Sequence, residues 1–291
     1  MRKLHRACAA VAAASLVLTV SAFTGEGTRS PATTARTITA RTATARTVTV
    51  SPGGPMVAAS GLAGPAGTSR PGHRVIDSLN WAGYAANRAR TTFRSVSAAF
   101  LVPYVDCSAT TPSYSSHWVG LDGLGSASVE QVGIEADCSR SSATYYAWYE
   151  MYPKPVSIAF RIRAGNAIQA SVTYKRSARK FVLMLRDTAD GQHFSRTLKC
   201  AAQACLRSSA EVISEAPSNG SGGILPLADY RAAGYSAITV TTSRGRRSGL
   251  SSRYWNTFQI VGVGESSHEL EAQPTSTFRG QAFSIYWFRA S

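Results

Sequence analysis

Gln131, Glu135 and Asp137 share parity in the run SVEQVGIEADC, so a single strand would carry an amide and two carboxyls on one face and Val132 and Ile134 on the other. Two further runs alternate in the same way. YAWYEMYP groups Trp148, Glu150 and Tyr152 opposite Ala147, Tyr149 and Met151, and SAEVISEAP groups Glu211, Ile213 and Glu215 opposite Val212. A carboxyl of suitable proton affinity can take a proton from water and pass it to a departing amine, while a neutral amide donates N–H to an oxygen that becomes negative. That chemistry hydrolyses a peptide bond with neither metal nor covalent intermediate. Glu211 paired with Glu135 would equally suit acid/base attack on a glycosidic bond. Trp81, Tyr84, Trp118, Tyr146, Trp148 and Tyr152 would suit sugar platforms. Residue types alone leave peptidase, glycosidase and lectin open, and they offer no Ser-His-acid order and no Gly-rich phosphate loop.

The elements that must position these groups read as strands throughout. SSHWVGLDG, VEQVGIEA, TYYAWYEMYP, ASVTYK, RKFVLMLRD, SAEVISEAP, YSAITVTT, YWNTFQIVGVG and RGQAFSIYWFR alternate at two-residue intervals, separated by Ser, Gly, Pro or charge. No stretch keeps a helical apolar stripe. The expectation is an all-β domain over residues 75–291, a β-sandwich of two antiparallel sheets of concanavalin or jelly-roll type, although alternation does not separate a sandwich from a barrel. Gly133 would leave room either for a substrate backbone or for a tight sheet crossing.

The chain does not begin like a globular domain. Arg2, Lys3 and Arg6 precede an apolar run ending in Val20-Ser21-Ala22, which predicts a signal peptide over 1–22, a secreted product and no stable membrane insertion once it is removed. Residues 23–74, with the repeat TARTITARTATART and a later Pro/Gly-rich stretch, read as a basic, mostly unstructured propeptide or linker. A propeptide would cover an acidic cleft before maturation and make the precursor a zymogen. A tether to an anionic envelope is the other reading.

Residues 1–74 hold +8 of the net charge of +15: from Val75 onward 22 basic side chains face 15 acidic ones, a net +7. This moderate excess carries no nucleic-acid geometry. KRSARK at 175–180 and RGRR at 244–247 read as solvated hairpin connections. With Cys8 in the leader, Cys107, Cys138, Cys200 and Cys205 permit three complete pairings, of which Cys107–Cys138 and Cys200–Cys205 are the expected ones. A zinc site lacks paired CxxC spacing, and His117 and His193 stand alone, so no metal or other cofactor is expected.

In order along the chain, SLNWAGYAA, FLVPYVDC, SSHWVGLDG, EQVGIEADC, YYAWYEMYP and SAEVISEAP resemble the blocks of the glutamic peptidases, or eqolisins (peptidase family G1), here of bacterial type. The resemblance spans about 79–288. It implies a β-sandwich and a secreted, acid-active, metal-independent endopeptidase, expected to act as a monomer on unfolded or flexible protein and peptide substrates. It also implies the catalytic pair: Glu211 as the base that activates water and Gln131 as the amide that orients it and stabilises the oxyanion. Trp81, Trp118, Asp122, Glu135, Trp148 and Glu150 match supporting or substrate-binding positions, and Glu215 shares the parity of Glu211 and competes with it. Val212 stands where the family commonly has tryptophan, which predicts a smaller cleft wall; Tyr146 stands where an acid is common, and Glu135 replaces an aspartate.

Overall fold

The computed structural model describes residues 50–59 and 72–290, all within one compact unit, Thr47–Ser291. The predicted leader and the remainder of the predicted pro-segment lie outside the described residues. The strands are β1 (Val50–Ser51), β2 (His73–Ser78), β3 (Trp81–Asn87), β4 (Phe93–Leu101), β5 (Ser113–Leu121), β6 (Val129–Ser139), β7 (Ser142–Tyr152), β8 (Ser157–Arg161) and β9 (Ala167–Lys175). They continue with β10 (Lys180–Asp187), β11 (His193–Leu198), β12 (Ser209–Glu215), β13 (Ser218–Asn219), β14 (Ala232–Thr242), β15 (Arg247–Ser248), β16 (Asn256–Val263), β17 (Leu270–Pro274) and β18 (Phe283–Trp287). Among the described residues no helix is long and apolar enough to cross a membrane.

One hydrogen-bonded path runs β11-β10-β9-β4-β14-β18-β17-β16-β3-β12-β5-β6-β7-β8 and folds over so that β9 and β4 face β5, β10 faces β6 and β4 faces β12. The result is the expected all-β, jelly-roll-like sandwich. Its ladders are antiparallel except for β2, which runs parallel to β16. A separate two-stranded ribbon pairs β1 with β13.

Alternation explains the outer layer. In β10, Phe181, Leu183 and Leu185 are buried while Val182 and Met184 are only half-buried, so period-2 patterning fills the interlayer core with every second side chain. Each such large apolar side chain contributes on the order of 1.5–3 kcal/mol. The layer carrying the acids differs. β5 and β12 are buried along their whole length on both faces. Val119, Val132, Ile134 and Val212 enter the interlayer core, and Trp118, Trp148 and Ile213 join Trp81 in a second apolar cluster on the other face.

The Cys107–Cys138 and Cys200–Cys205 disulfides are both present. Cys107–Cys138 ties the loop before β5 to the end of β6. The two basic stretches are exposed turns, 176–179 between β9 and β10 and 243–246 after β14.

Candidate active site

Strand register sets the acids and the amide in rows. Glu211 on β12 lies opposite Gly120 on β5, Gly120 opposite Gln131 on β6, and Gln131 opposite Glu150 on β7. Cross-strand partners point to the same face, so these four positions form one line over four strands, with Glu211 and Gln131 two strand spacings apart, about 10 Å along the backbone. Gly120 leaves the middle of the line without a side chain, and the Trp118 ring leans into that space. A Cβ there would fall 2.8 Å from the Trp118 ring and 3.3 Å from Gln131 Cβ. The second row is Ile213, Trp118, Gly133 and Trp148, and the third is Trp81, Glu215, Ser116, Glu135 and Tyr146.

Glu211 is fully buried, and neither of its carboxyl oxygens has a hydrogen-bond partner among the described residues. Burial pushes its proton affinity well above the usual carboxylate range, the charges of Asp122 and Glu130 add to that, and the nearby Ser209 hydroxyl opposes it. Gln131 is also fully buried. Its Nε2 donates to Glu150 Oε2 at 2.7 Å, which fixes the amide plane, while its Oε1 is unpartnered. Burial raises Glu150 to about 8 against the lowering effect of that hydrogen bond.

Glu215 has the opposite surroundings. Its Oε2 accepts from Trp118 Nε1 at 2.8 Å and its Oε1 from Asn80 Nδ2 at 3.0 Å. Trp81 meets Trp118 edge-on with ring centroids 5.0 Å apart, closing that end of the face. Glu135 is buried in the third row, raised well above its ordinary range by burial and then by Asp137, which burial itself pushes to about 6. Trp148 is fully buried in the tryptophan cluster.

Asp122 works outside the rows. With φ of 71° it turns the chain at the end of β5, and its carboxylate accepts from the Arg207 N–H at 2.6 Å, the Ser208 N–H at 2.8 Å and the Ser208 hydroxyl at 3.0 Å. Those bonds fix the segment that leads into β12 and therefore the height of Glu211 along the sheet. The register thus unites Glu211, Gln131 and Glu150 in one row. Glu135, Glu215 and Trp81 fall in another, four residues further along the strands.

One sequence expectation is corrected and two open points are decided. Val212 lies in the interlayer core, because a residue adjacent to Glu211 must point to the opposite face, and it forms no wall of the acid face. Gly133 makes space for its cross-strand neighbour instead of a substrate: a Cβ there would lie 2.5 Å from Trp118 Cβ and 2.4 Å from the His117 carbonyl oxygen. His117 is a core residue, its Nδ1 2.8 Å from Ser214 Oγ, and burial lowers its pKa to about 3.

Sequence reasoning missed Asn80, Ser209 and Glu130. Asn80 was visible only as a polar residue beside Trp81. Glu130 carried a clearer signal: it has the inward parity of Val132 and Ile134, and burial, reinforced by Asp122, pushes it up to about 9. Among the described residues no group of three or more His, Cys, Asp or Glu side chains could hold a metal ion. A hollow of about 570 Å³ beside Phe100, Ile168, Tyr235 and Phe278 is lined by no carboxylate, histidine or cysteine, and it lies apart from the acid rows.

The sequence model of the Peptidase A4 family matches residues 79–277. No curated protein matches the chain. Among solved structures, scytalido-glutamic peptidase bound to a peptide-based transition-state analogue superposes with a TM-score of 0.61 at 25% identity, covering 72% of this chain and 98% of that one. SCP-B, an eqolisin, gives 0.60 at 23% identity over 72% and 98%. Aspergilloglutamic peptidase from Aspergillus niger gives 0.52 at 22% over 60% and 99%. These likenesses correct the bacterial type expected from the sequence, since the matched enzymes are fungal; the ordered blocks encode the shared sandwich, which carries no mark of that division. With the family's sequence model matched over most of the chain and the fold shared with these enzymes, the protein belongs to the Peptidase A4 family of glutamic, or eqolisin, peptidases.

Proposed function

We propose that the protein is a secreted, acid-active endopeptidase in which Glu211 activates water and Gln131 stabilises the oxyanion. The observation that carries this reading is the contrast on β12: Glu211 is the carboxyl with both oxygens unpartnered, in the row of Gln131, whereas Glu215 is tied at both oxygens. Glu211 takes a proton from water as the water attacks the scissile carbonyl, and the negative oxygen of the tetrahedral intermediate accepts a hydrogen bond from the Gln131 amide. Glu211 then returns the proton to the leaving amine. Glu150 holds the amide plane, and Asp122 sets the height of β12. SCP-B has been seen with a tripeptide, Ala-Ile-His, which supports peptide as the substrate class.

Acid activity follows from charge. Hydration of an opened groove lowers the proton affinity of Glu211 toward the ordinary carboxylate range, so a working base is available in acid. Burial likewise raises Glu150 in the covered face, so the same hydration lowers it; once it ionises as pH rises, a negative charge stands beside the developing oxyanion and the rate falls. The glycosidase pairing has poor geometry: Glu211 and Glu135 are two strands and four residues apart, roughly 16 Å between backbones, beyond the carboxyl separations such chemistry uses. The test is digestion of a denatured protein by the processed enzyme in acid with chelator present. Folded Glu211→Gln and Gln131→Ala enzymes are expected to be inactive, and retained cleavage by either would remove it from the mechanism.

A further inference from the structure

Residues 50–59, part of the segment expected to be a propeptide or linker, lie across the acid face. Val50 and Ser51 pair antiparallel with Asn219 and Ser218 in the separate two-stranded ribbon, whose second strand follows β12 in the chain. Pro52 and Gly53 follow and are buried. Gly53 rests directly on the candidate oxyanion amide: a Cβ added to it would fall 2.2 Å from Gln131 Nε2 and 2.5 Å from its Cδ and Oε1. Gly54 has open space where its side chain would be.

Beyond the glycines the segment is fastened again. The Pro55 carbonyl accepts from Asn80 Nδ2 at 3.2 Å, and the Val57 N–H donates to Asn80 Oδ1 at 2.8 Å. The Met56 N–H donates to the Gly123 carbonyl at 3.3 Å, and the Met56 side chain packs on the tryptophan cluster. The Val57 carbonyl accepts from the Leu79 N–H at 2.8 Å and the Ser78 hydroxyl at 3.0 Å. An extended peptide is thus held by backbone bonds at both ends, with its least bulky residue at the catalytic amide. This is how a groove recognises a peptide, by strand addition plus a side-chain pocket.

We infer that residues 50–59 form a tethered strap seated in the peptide-binding groove, which an incoming peptide must displace. The inference rests on the proposed peptidase reading for its consequence, a restrained full-length chain. The seat itself is tested without catalysis. The occupant is a Pro-Gly-Gly-Pro run that puts no side chain at Gln131 and flanks its central Gly-Gly pair with two prolines. Asn80 serves the strap and Glu215 through the same amide, so the strap shares its anchor with the tied end of the acid face.

The test uses intact full-length chains, with Gly53→Val and Gly54→Val as a matched pair and thermal melting as a check on folding. Gly53→Val collides with Gln131 and lifts the strap; Gly54→Val meets nothing and leaves it seated. The probe is a synthetic peptide of the chain's own residues 47–58, TVTVSPGGPMVA. Binding to the Gly53→Val chain at least about tenfold tighter than to the wild-type and Gly54→Val chains is expected, because the wild-type groove is already filled. Equal binding to all three chains would overturn the strap. Initial cleavage by the still-intact Gly53→Val chain is expected to exceed wild type by a similar factor. If it does not, while processed enzyme cleaves, the restraint is overturned. If the peptide binds as expected but no form of the protein cleaves, the strap stands and the peptidase reading fails.

Discussion

Glu211 and Glu215 sit on the same face of the same strand, two pleat repeats apart, in opposite surroundings. At the Glu215 end every oxygen is answered, by an indole and by an amide, and two tryptophans close over it. At the Glu211 end the carboxyl is answered by no hydrogen bond, and its cross-strand neighbour is a glycine. Both groups are buried and both are pushed toward the neutral form. Burial and proton affinity are shared, so within β12 the two acids differ in their partners; Glu130 and Glu135 also have unpartnered oxygens, and what sets Glu211 apart from those is its place in the row of Gln131. A buried polar group left unpaired is expensive, on the order of 1–3 kcal/mol, and such a cost persists where function requires the group to be free.

Substitutions at the two ends should therefore diverge. The largest effect is expected from Glu211→Gln, a loss of at least about 10³-fold in kcat with a melting temperature close to wild type, because a neutral amide replaces an acid that is itself neutral in the covered site. Glu215→Gln in the same assay is expected to keep activity within about tenfold. A reversal of that order would exchange the roles of the two residues. Glu150→Ala comes next: Gln131 loses the acceptor that fixes its plane, and kcat is expected to fall by about 10- to 100-fold with KM little changed. Trp118→Phe removes a donor to Glu215 and should cost about 1–3 kcal/mol of unfolding free energy, read by denaturant titration, with a smaller effect on turnover.

The smallest effect sharpens what the ends share. Glu130, Glu135, Asp137, Glu150, Glu211 and Glu215 all bind their protons more tightly folded than unfolded. Their stabilisation is complete below the unfolded carboxylate pKa and is lost as pH rises through the folded values, which include about 6, 8 and 9. His117 acts in the other sense: lowered to about 3, it costs stability as pH falls below its unfolded value. Six groups outweigh one, so the melting temperature is expected to be higher near pH 5 than near pH 8 by roughly 5–10 °C. A flat or rising profile toward pH 8 would show that these acids are not held neutral by the fold.

Much of this was legible in the sequence because strand parity is local. The faces of 131–137, 146–152 and 211–215 can be read two residues at a time. Parity also bears on Val212: as the neighbour of Glu211 it belongs to the opposite face, so the rule that groups the acids argues against a cleft wall at that position. The strand Phe93–Leu101 was harder to see: its Ser and Ala residues give little contrast between inward and outward positions. Register was not legible. Nothing in residues 129–139 says that Gly120 will stand between Gln131 and Glu211, or that Asn80 will reach Glu215. The seat of residues 50–59 was hidden for the same reason. Pro and Gly read as linker by composition, and their partners at 80, 123, 131 and 218–219 are distant in the chain.

The position of β12 between β3 and β5 also dictates a sequence of events. Both neighbours are made long before the strand that must be inserted between them, so the sheet waits for residues 209–215 and such long-range pairing is slow. The groove's base is thus delivered late in synthesis. Residues 50–59, which end up over Gln131, emerge among the earliest. On the proposed reading, a nascent chain therefore carries its strap before it carries the acid that the strap covers.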